Sequence, residues 1–372
     1  MEQSYNIQKL LAVFESAQYT KNEILTLANL KLTGNEEELN QLEHFDWVSA
    51  LDLSQNPIRS LSFLGKLKNL ERLDLQLCQL TDISPLSELK NLTYLDFYNN
   101  SITDISPLSG LKNLTHLDLF NNKVCNITPL QNLQKLVYLD LDCNQVSNIS
   151  ALQNLQELEY LYLYKNQIAD ISPLKDQKKL LDLNLGYNRV IDISPLCNLR
   201  NLSNLRLESN KIVNIEALTG LTALTGLRLY SNQIVDISPL KALSLLNDLQ
   251  LSSNRIVDIS PLKNLDVFTE LVLTHNQIID ISPLRFLTKL EKLDLSSNQI
   301  IDLSPLESLT ALEELNLVGN CISEIGTLAK LPQLKSIKVA NNPIAQTIRA
   351  TVTVEKYFME TRHVMAYLQT LS

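Results

Sequence analysis

The chain repeats itself every 22 residues. Asn56, Asn100, Asn122, Asn144, Asn166, Asn188, Asn210, Asn232, Asn254, Asn276, Asn298, Asn320 and Asn342 fall on one 22-residue grid, and Cys78 occupies the remaining grid point. Fourteen registers pass without an insertion. With the grid Asn as position 0, Leu recurs at −5 and −3 and an aliphatic residue at +2, as in Leu117, Leu119, Asn122 and Val124. Apolar residues at alternate positions, followed by a polar break, read as a short strand with one buried face.

A second signature follows each strand. Asp82-Ile83-Ser84-Pro85-Leu86 recurs in the same words from Asp104, Asp170, Asp192, Asp236, Asp258 and Asp280, and nine of the twelve prolines sit at this place. Ser before Pro is helix-start chemistry: the Ser oxygen is expected to take up a free N–H while Pro presets the first turn. The acids of these turns are expected to cap them. A strand and a tight helical turn cannot bury their apolar side alone, so neighbouring units must stack into a solenoid.

These residues, Leu-x-x-Leu-x-Leu-x-x-Asn-x-Ile at a fixed spacing over about residues 24–342, resemble the leucine-rich-repeat family, and the Asp-Ile-Ser-Pro-Leu wording resembles the bacterial internalin-type repeats. The resemblance implies an α/β solenoid, a right-handed horseshoe. A parallel β-sheet would line its concave face, an asparagine ladder would run through its turns, and short helical or 3-10 turns would form its convex face. It also implies protein binding through the concave face. The repeat length resembles that of a eukaryotic protein-phosphatase regulatory subunit as well. The alternative reading is therefore a regulatory subunit or delivered effector acting on a partner enzyme such as a phosphatase. Unlike the internalins, the chain shows no secretion signal, immunoglobulin-like segment or wall-sorting tail, so surface display and a receptor are not carried over.

Composition agrees with a repeated aliphatic core: 78 of 372 residues are Leu and only 6% are aromatic. Scattered glycines such as Gly34, Gly65, Gly110 and Gly186 exclude a phosphate-cradling loop. The net charge of −9 excludes nucleic acid as a partner. No apolar run approaches the ~18 residues of a membrane span. Five cysteines without a CxxC pair point to a reducing compartment and hence to the cytoplasm, with signal-independent export as an effector left open. The chain alone is expected to be monomeric.

The ends are expected to differ, because terminal units of a solenoid would otherwise expose core. Residues 1–23 read as a helical cap, with Ile7, Leu10, Leu11 and Phe14 at helical spacing. Residues 24–342 form the array, opening with a longer unit that carries Leu25, Leu27, Leu30 and Leu32, with Trp47 near its join to the regular repeats. Residues 343–372 read as a helical C-terminal cap with Val354, Phe358, Met365 and Leu368 on one side.

Function is expected where the repeat rule leaves the residue free. With −5 and −3 inward, positions −6, −4 and −2 face the concave surface. Eight of the twelve tyrosines lie between residues 94 and 230 at non-core positions: Tyr94, Tyr138 and Tyr160 at −6, Tyr162 at −4, Tyr98, Tyr164 and Tyr230 at −2, and Tyr187 at −1. Phe120 joins them at −2. Farther along, the −4 and −2 columns hold Gln250, Ser252, Val272 and Thr274, so the aromatic zone has an edge. Tyr suits protein-binding surfaces, offering large contact area and a polar tip at little rotamer cost, although it also suits strand surfaces in general. Arg206 and Arg228 at −4 are expected to help orient the partner.

Position −4 reads Asp52, Asp74, Asp96, Asp118 and Asp140 in succession. Together with Asp142, the acids from Asp74 onward form an acidic ladder whose mutual repulsion a basic patch on the partner would offset. Leu-Asp-Leu is also ordinary wording in such repeats. A row with one carboxylate per strand is not a closed oxygen cage, so no metal is expected, and no cofactor. His44, His116, His275 and His363 are scattered, and His116 beside Asp118 lacks a nucleophile or oxyanion donor, so no enzyme activity is expected.

Overall fold

Every ladder asparagine sits where the backbone leaves a strand, and its side chain binds three backbone groups that the turn would otherwise leave unpaired. Asn122 accepts the Ile102 N–H at 3.0 Å, and its Nδ2 donates to the carbonyls of Phe97 at 3.0 Å and Leu119 at 3.1 Å. The same pattern recurs at Asn144, Asn254, Asn298 and Asn342. Buried backbone groups without partners are costly, so each Asn fixes the stacking of neighbouring units. The residue before it is left-handed throughout, from Gln55 at φ 59° and Asn121 at 51° to Asn341 at 57°.

Cys78 shows how the ladder tolerates an exception. Its thiol reaches the carbonyls of Leu53 at 3.2 Å and Gln76 at 3.3 Å, standing in for the amide donor. It offers no comparable acceptor, and the Ile58 N–H turns to its own neighbour, the Asn56 carbonyl, at 2.8 Å. Burial pushes the thiol pKa up to about 12, so this cysteine stays protonated.

The structure, a computed structural model, describes residues 2–20, 23–35, 37–351 and 361–371. The chain divides into two compact units, Met1–Arg189 and Val190–Ser372. In the first, helix α1 (Glu2–Thr20) precedes strands β1 (Ile24–Thr26), β2 (Ala50–Asp52), β3 (Arg72–Asp74), β4 (Tyr94–Asp96), β5 (His116–Asp118), β6 (Tyr138–Asp140), β7 (Tyr160–Tyr162) and β8 (Asp182–Asn184). All pair in parallel in chain order, with positions 22 residues apart opposite one another from β2 onward, as in Tyr94↔His116. The second unit repeats the plan with β9 (Asn204–Arg206), β10 (Gly226–Arg228), β11 (Asp248–Gln250), β12 (Glu270–Val272), β13 (Lys292–Asp294), β14 (Glu314–Asn316) and β15 (Ser336–Lys338), followed by α2 (Ile344–Thr351) and α3 (Thr361–Leu371).

Short 3-10 turns return the chain between strands, among them Ser84–Glu88, Ser106–Gly110 and Ser238–Ala242. The fold is therefore a leucine-rich-repeat solenoid of parallel strands and 3-10 turns. Its core is the repeated Leu and Ile columns, with Leu95, Leu117, Leu139 and Leu161 fully buried and Phe97, Ile337 and Val339 filling Leu places. Each such Leu contributes roughly 1.5–3 kcal/mol of burial.

The turn chemistry corrects one expectation: Asp, not Ser, caps the turn. In Asp82-Ile83-Ser84, the Ser84 N–H donates to Asp82 Oδ1 at 2.8 Å and the Ser84 hydroxyl donates to Asp82 Oδ2 at 3.1 Å. The turn begins at Ser84 with no cap from the preceding Ile83 side chain. The Ser oxygen is thus spent as a donor. Asp104 and Asp302 repeat the arrangement, and these bonds hold both carboxyls below the ordinary range.

At the N-terminus, Leu10, Phe14 and Ala17 are buried, while Leu11 is only half-buried. Phe14 meets Phe45 at 5.1 Å and Phe45 meets Trp47 at 5.1 Å, which ties α1 to the first coil. Leu30 is half-buried outside β1, in the place later units give to Asn, and only Leu25, Leu27 and Leu32 join the core. At the other end, α3 buries Val364 and Leu368 while Met365 is half-buried, and Thr361 Oγ1 binds the Ile337 carbonyl at 3.1 Å. Val354, Phe358 and the side chain of Ile7 lie outside the described residues.

Candidate functional site

Parallel in-register pairing turns each sequence position into a column across the sheet, so residues 22 apart become neighbours on its open face. In the first unit, the −6 column is one continuous stack. The Arg72 guanidinium lies 3.9 Å from the centre of the Tyr94 ring. Tyr94 stacks on His116 at 4.3 Å and 12°, and His116 on Tyr138 at 4.0 Å and 9°. Tyr160 follows Tyr138 at 6.4 Å, and Tyr162 meets the Tyr138 ring edge-on at 5.6 Å. The −2 column forms a second wall, with Tyr98 stacked on Phe120 at 4.9 Å and 13°. Tyr187 touches Tyr164 edge-on at 5.0 Å from a left-handed backbone at φ 54°.

Between the walls runs the carboxylate row. Each Asp bends back so that its Oδ1 accepts the N–H of the −2 residue: Gln76 onto Asp74 at 3.0 Å, and Tyr98 onto Asp96, Phe120 onto Asp118 and Asp142 onto Asp140, each at 2.8 Å. Leu-Asp-Leu wording is therefore structural in part, because it closes the strand. Alternate members of the row are sunk, with Asp96 only 4% and Asp140 only 8% exposed, while Asp74 and Asp118 are half-buried. Asp142 stands apart from it, in the −2 column, where its Oδ1 accepts the Tyr164 N–H.

Burial controls the electrostatics. It raises Asp118 to about 7 with help from the Asp140 charge, and Asp140 to about 7 with help from Asp142. Burial, reinforced by Asp96, lifts Asp74 to about 6. Asp96 is raised by burial and held back by bonds from the Tyr98 N–H, from Gln76 Nε2 at 2.7 Å and from the Tyr94 hydroxyl at 3.3 Å. Burial and then the Arg72 charge push His116 down to about 4, so its ring is neutral at neutral pH. His116 packs between tyrosines rather than pairing with an acid. Among the described residues, no group of His, Cys, Asp and Glu is arranged to hold a metal.

Tyr230, Arg206 and Arg228 belong to the second unit. Arg206 and Arg228 are adjacent in register, but Arg228 reaches Asp248 at 3.7 Å, and both charges act on Glu208, which is 3% exposed. Arg228 is thus shared between Asp248 and Glu208 within the unit. Farther on, Lys292 pairs with Glu314 at 3.0 Å and Asn316 with Asp294 at 2.9 Å.

Reading tyrosines alone missed Arg72, His116 and Gln76. The signal was present: Arg72 and His116 occupy the same −6 column as Tyr94 and Tyr138. Glu208, with one buried carboxylate oxygen lacking a hydrogen bond, likewise occupies the −2 column of Phe120 and Tyr164.

The class defined by this fold is a leucine-rich-repeat protein, and comparison with known proteins agrees. The family described as "Leucine Rich repeats (2 copies)" matches residues 49–88, 90–132, 134–176, 269–308 and 310–349. The chain belongs to this family. Its repeats are of the internalin type: an internalin, InlF, from Listeria monocytogenes is 37% identical over 82% of this chain and 89% of its own, with a TM-score of 0.75. A leucine-rich-repeat protein of Leptospira interrogans is 26% identical over 90% and 96% of the two chains, with a TM-score of 0.76. The plant peptide hormone receptor RGFR1, solved with RGF2, is 19% identical over 82% and 57%, with a TM-score of 0.70, and shares the fold alone. Comparison with curated protein sequences found no match.

Proposed function

We propose that the chain is a non-enzymatic protein-binding scaffold whose partner lies on the open sheet face of the first unit, over residues 94–187. The observation that carries this reading is the pair of aromatic walls flanking a half-buried carboxylate row. The rings are stacked in place before any partner arrives, so little rotamer entropy remains to be lost on binding. The carboxylates raise one another, Asp140 acting on Asp118 and Asp142 on Asp140, while the Arg72 charge acts on Asp74 at one end of the row. A basic segment of the partner, placing Lys or Arg between the walls, would supply compensating positive charge and gain from the tyrosine faces.

Several observations support the setting. The face presents stacked rings over carboxylates that are held by backbone N–H groups, an arrangement suited to recognition. The architecture carries a bound partner in RGFR1, whose structure includes RGF2. All five cysteines are unpaired, which fits a reducing compartment. Among the described residues, no helix is long and apolar enough to cross a membrane.

The test is affinity capture from lysate with the wild type, with a Tyr160→Ala/Tyr162→Ala/Tyr164→Ala variant and with a Ser252→Ala/Thr274→Ala/Ser296→Ala control. The partner should be retained by the control and lost by the tyrosine variant. Equal retention by both would sink the proposal. If the captured protein is an enzyme, its activity with and without this chain decides whether the scaffold regulates it.

A further inference from the structure

A second surface stands out on the other side of the grid Asn. At +3 the second unit carries Ile191, Val213, Val235, Val257, Ile279 and Ile301, all exposed, from 43% at Val257 to 61% at Ile191. Adjacent coils are ~4.8 Å apart, so the six form a continuous aliphatic stripe roughly 25 Å long. In the first unit the same column is polar or small, with Thr81, Thr103, Ser147 and Ala169, so the repeat does not require the apolar residue. Contiguous exposed apolar surface on this scale marks an interaction site more often than a bare flank. At its beginning the stripe opens into a hollow lined by Ile191, Cys197, Val213 and Ala217.

The flanks indicate what covers it. Residues at +1 and +3 both point outward, with the +2 Ile buried between them. On the +1 side stand N–H donors: Gln233, Arg255, Gln277 and Gln299. On the +4 side stand carboxylates, Asp236, Asp258, Asp280 and Asp302, which cap their turns and retain free lone pairs. From Lys211 to Gln299 every side chain on the +1 edge can donate, two of them as cations (Lys211 and Arg255), while the +4 edge is carboxylate except at Asn214. A copy turned about an axis running along the stripe places its donor edge on the acceptor edge of the first, repeat by repeat. An axis across the stripe would instead set carboxylates against carboxylates.

We propose that the stripe is the contact of a symmetric, parallel homodimer, aliphatic row on aliphatic row, with Arg255 of each copy facing Asp258 of the other. This departs from the monomer expected from sequence and is independent of the tyrosine face. The strip is smaller than a standard interface, so the dimer is weak, with a dissociation constant on the order of ten micromolar.

Sedimentation velocity of the full chain from about 1 to 300 µM tests it. The wild type should pass from monomer to dimer across this range. Val213→Thr/Val235→Thr/Val257→Thr, which installs the residue the chain already uses at Thr81 and Thr103, should keep the fold and weaken dimerisation at least tenfold. Arg255→Glu should weaken it as well, and Tyr162→Ala should dimerise as the wild type does. A wild type that stays monomeric throughout, or a Thr variant that dimerises as tightly, would overturn the proposal.

Discussion

Replacing Asp118 by Asn should stabilise this protein at pH 8 and leave it unchanged near pH 4. The Asp118 carboxyl does two things: its Oδ1 holds the Phe120 N–H at 2.8 Å, and its charge is buried beside Asp140 and Asp96. Asparagine keeps the first and removes the second. The molecule already uses this solution, since Asn184 accepts the Gly186 N–H at 3.1 Å and Asn316 the Val318 N–H at 3.2 Å. The carboxyl pKa is about 7 in the folded chain against an ordinary 3.8. The folded state therefore holds the proton more tightly than the unfolded one. Stability is complete below about pH 4 and is lost as pH rises toward 7, the reverse of a salt-bridged Asp.

Three units at ~1.4 kcal/mol each set an upper bound of ~4 kcal/mol, and solvent on the open side of the sheet reduces this to roughly 2 kcal/mol. In urea titrations, Asp118→Asn should raise the midpoint by about half a molar at pH 8 and not at pH 4. Asp118→Ala, which also gives up the Phe120 bond, should lose ~1 kcal/mol at pH 4. A lower or unchanged midpoint for Asp118→Asn at pH 8, or an equal gain at both pH values, would refute the reasoning.

Other outcomes follow from the same geometry. Cys78→Asn should raise the urea midpoint by the equivalent of ~1 kcal/mol, because it restores an acceptor for the Ile58 N–H, whereas Asn122→Ala should cost ~3 kcal/mol by stranding buried groups on both sides. Asp236→Ala should cost ~1 kcal/mol and Ser238→Ala less than half of that, because Asp236 holds both the N–H and the hydroxyl of Ser238. Ser253→Gly, at φ 56°, should stabilise by ~1 kcal/mol by relieving a left-handed Ser. If a partner cation sits over Asp118 and Asp140, binding draws their protons off, so affinity measured by calorimetry should rise between pH 6 and pH 8 and then level.

Much of the fold was legible because the repeat is a statement about geometry. A fixed spacing with Leu at −5 and −3 allows one stacking register, and the Asn places the turn that enforces it. The candidate face was legible only as columns. Sequence spacing put Tyr94, Tyr138 and Tyr160 in one file, but it did not reveal that His116 is a ring in that stack or that Arg72 closes it, because those residue types carry other meanings when read singly. Burial of Asp96 and Asp140 was out of reach for a different reason: exposure depends on how the stacked units close over each side chain, which the alternation within one strand does not report. The Ser cap failed because the Asp two residues earlier accepts both the Ser N–H and the Ser hydroxyl proton, which turns the hydroxyl back to the carboxylate instead of forward into the turn.

The central claim is that a partner covers the aromatic walls, and hydroxyl-radical footprinting of the chain with and without its captured partner tests it most directly. Tyr98 and Tyr187, 37% and 44% exposed in the free chain, should lose reactivity together with Phe120 and Tyr164 in the complex. His275 and Phe286 in the second unit should react as before. Unprotected tyrosines in a saturated complex would contradict the account.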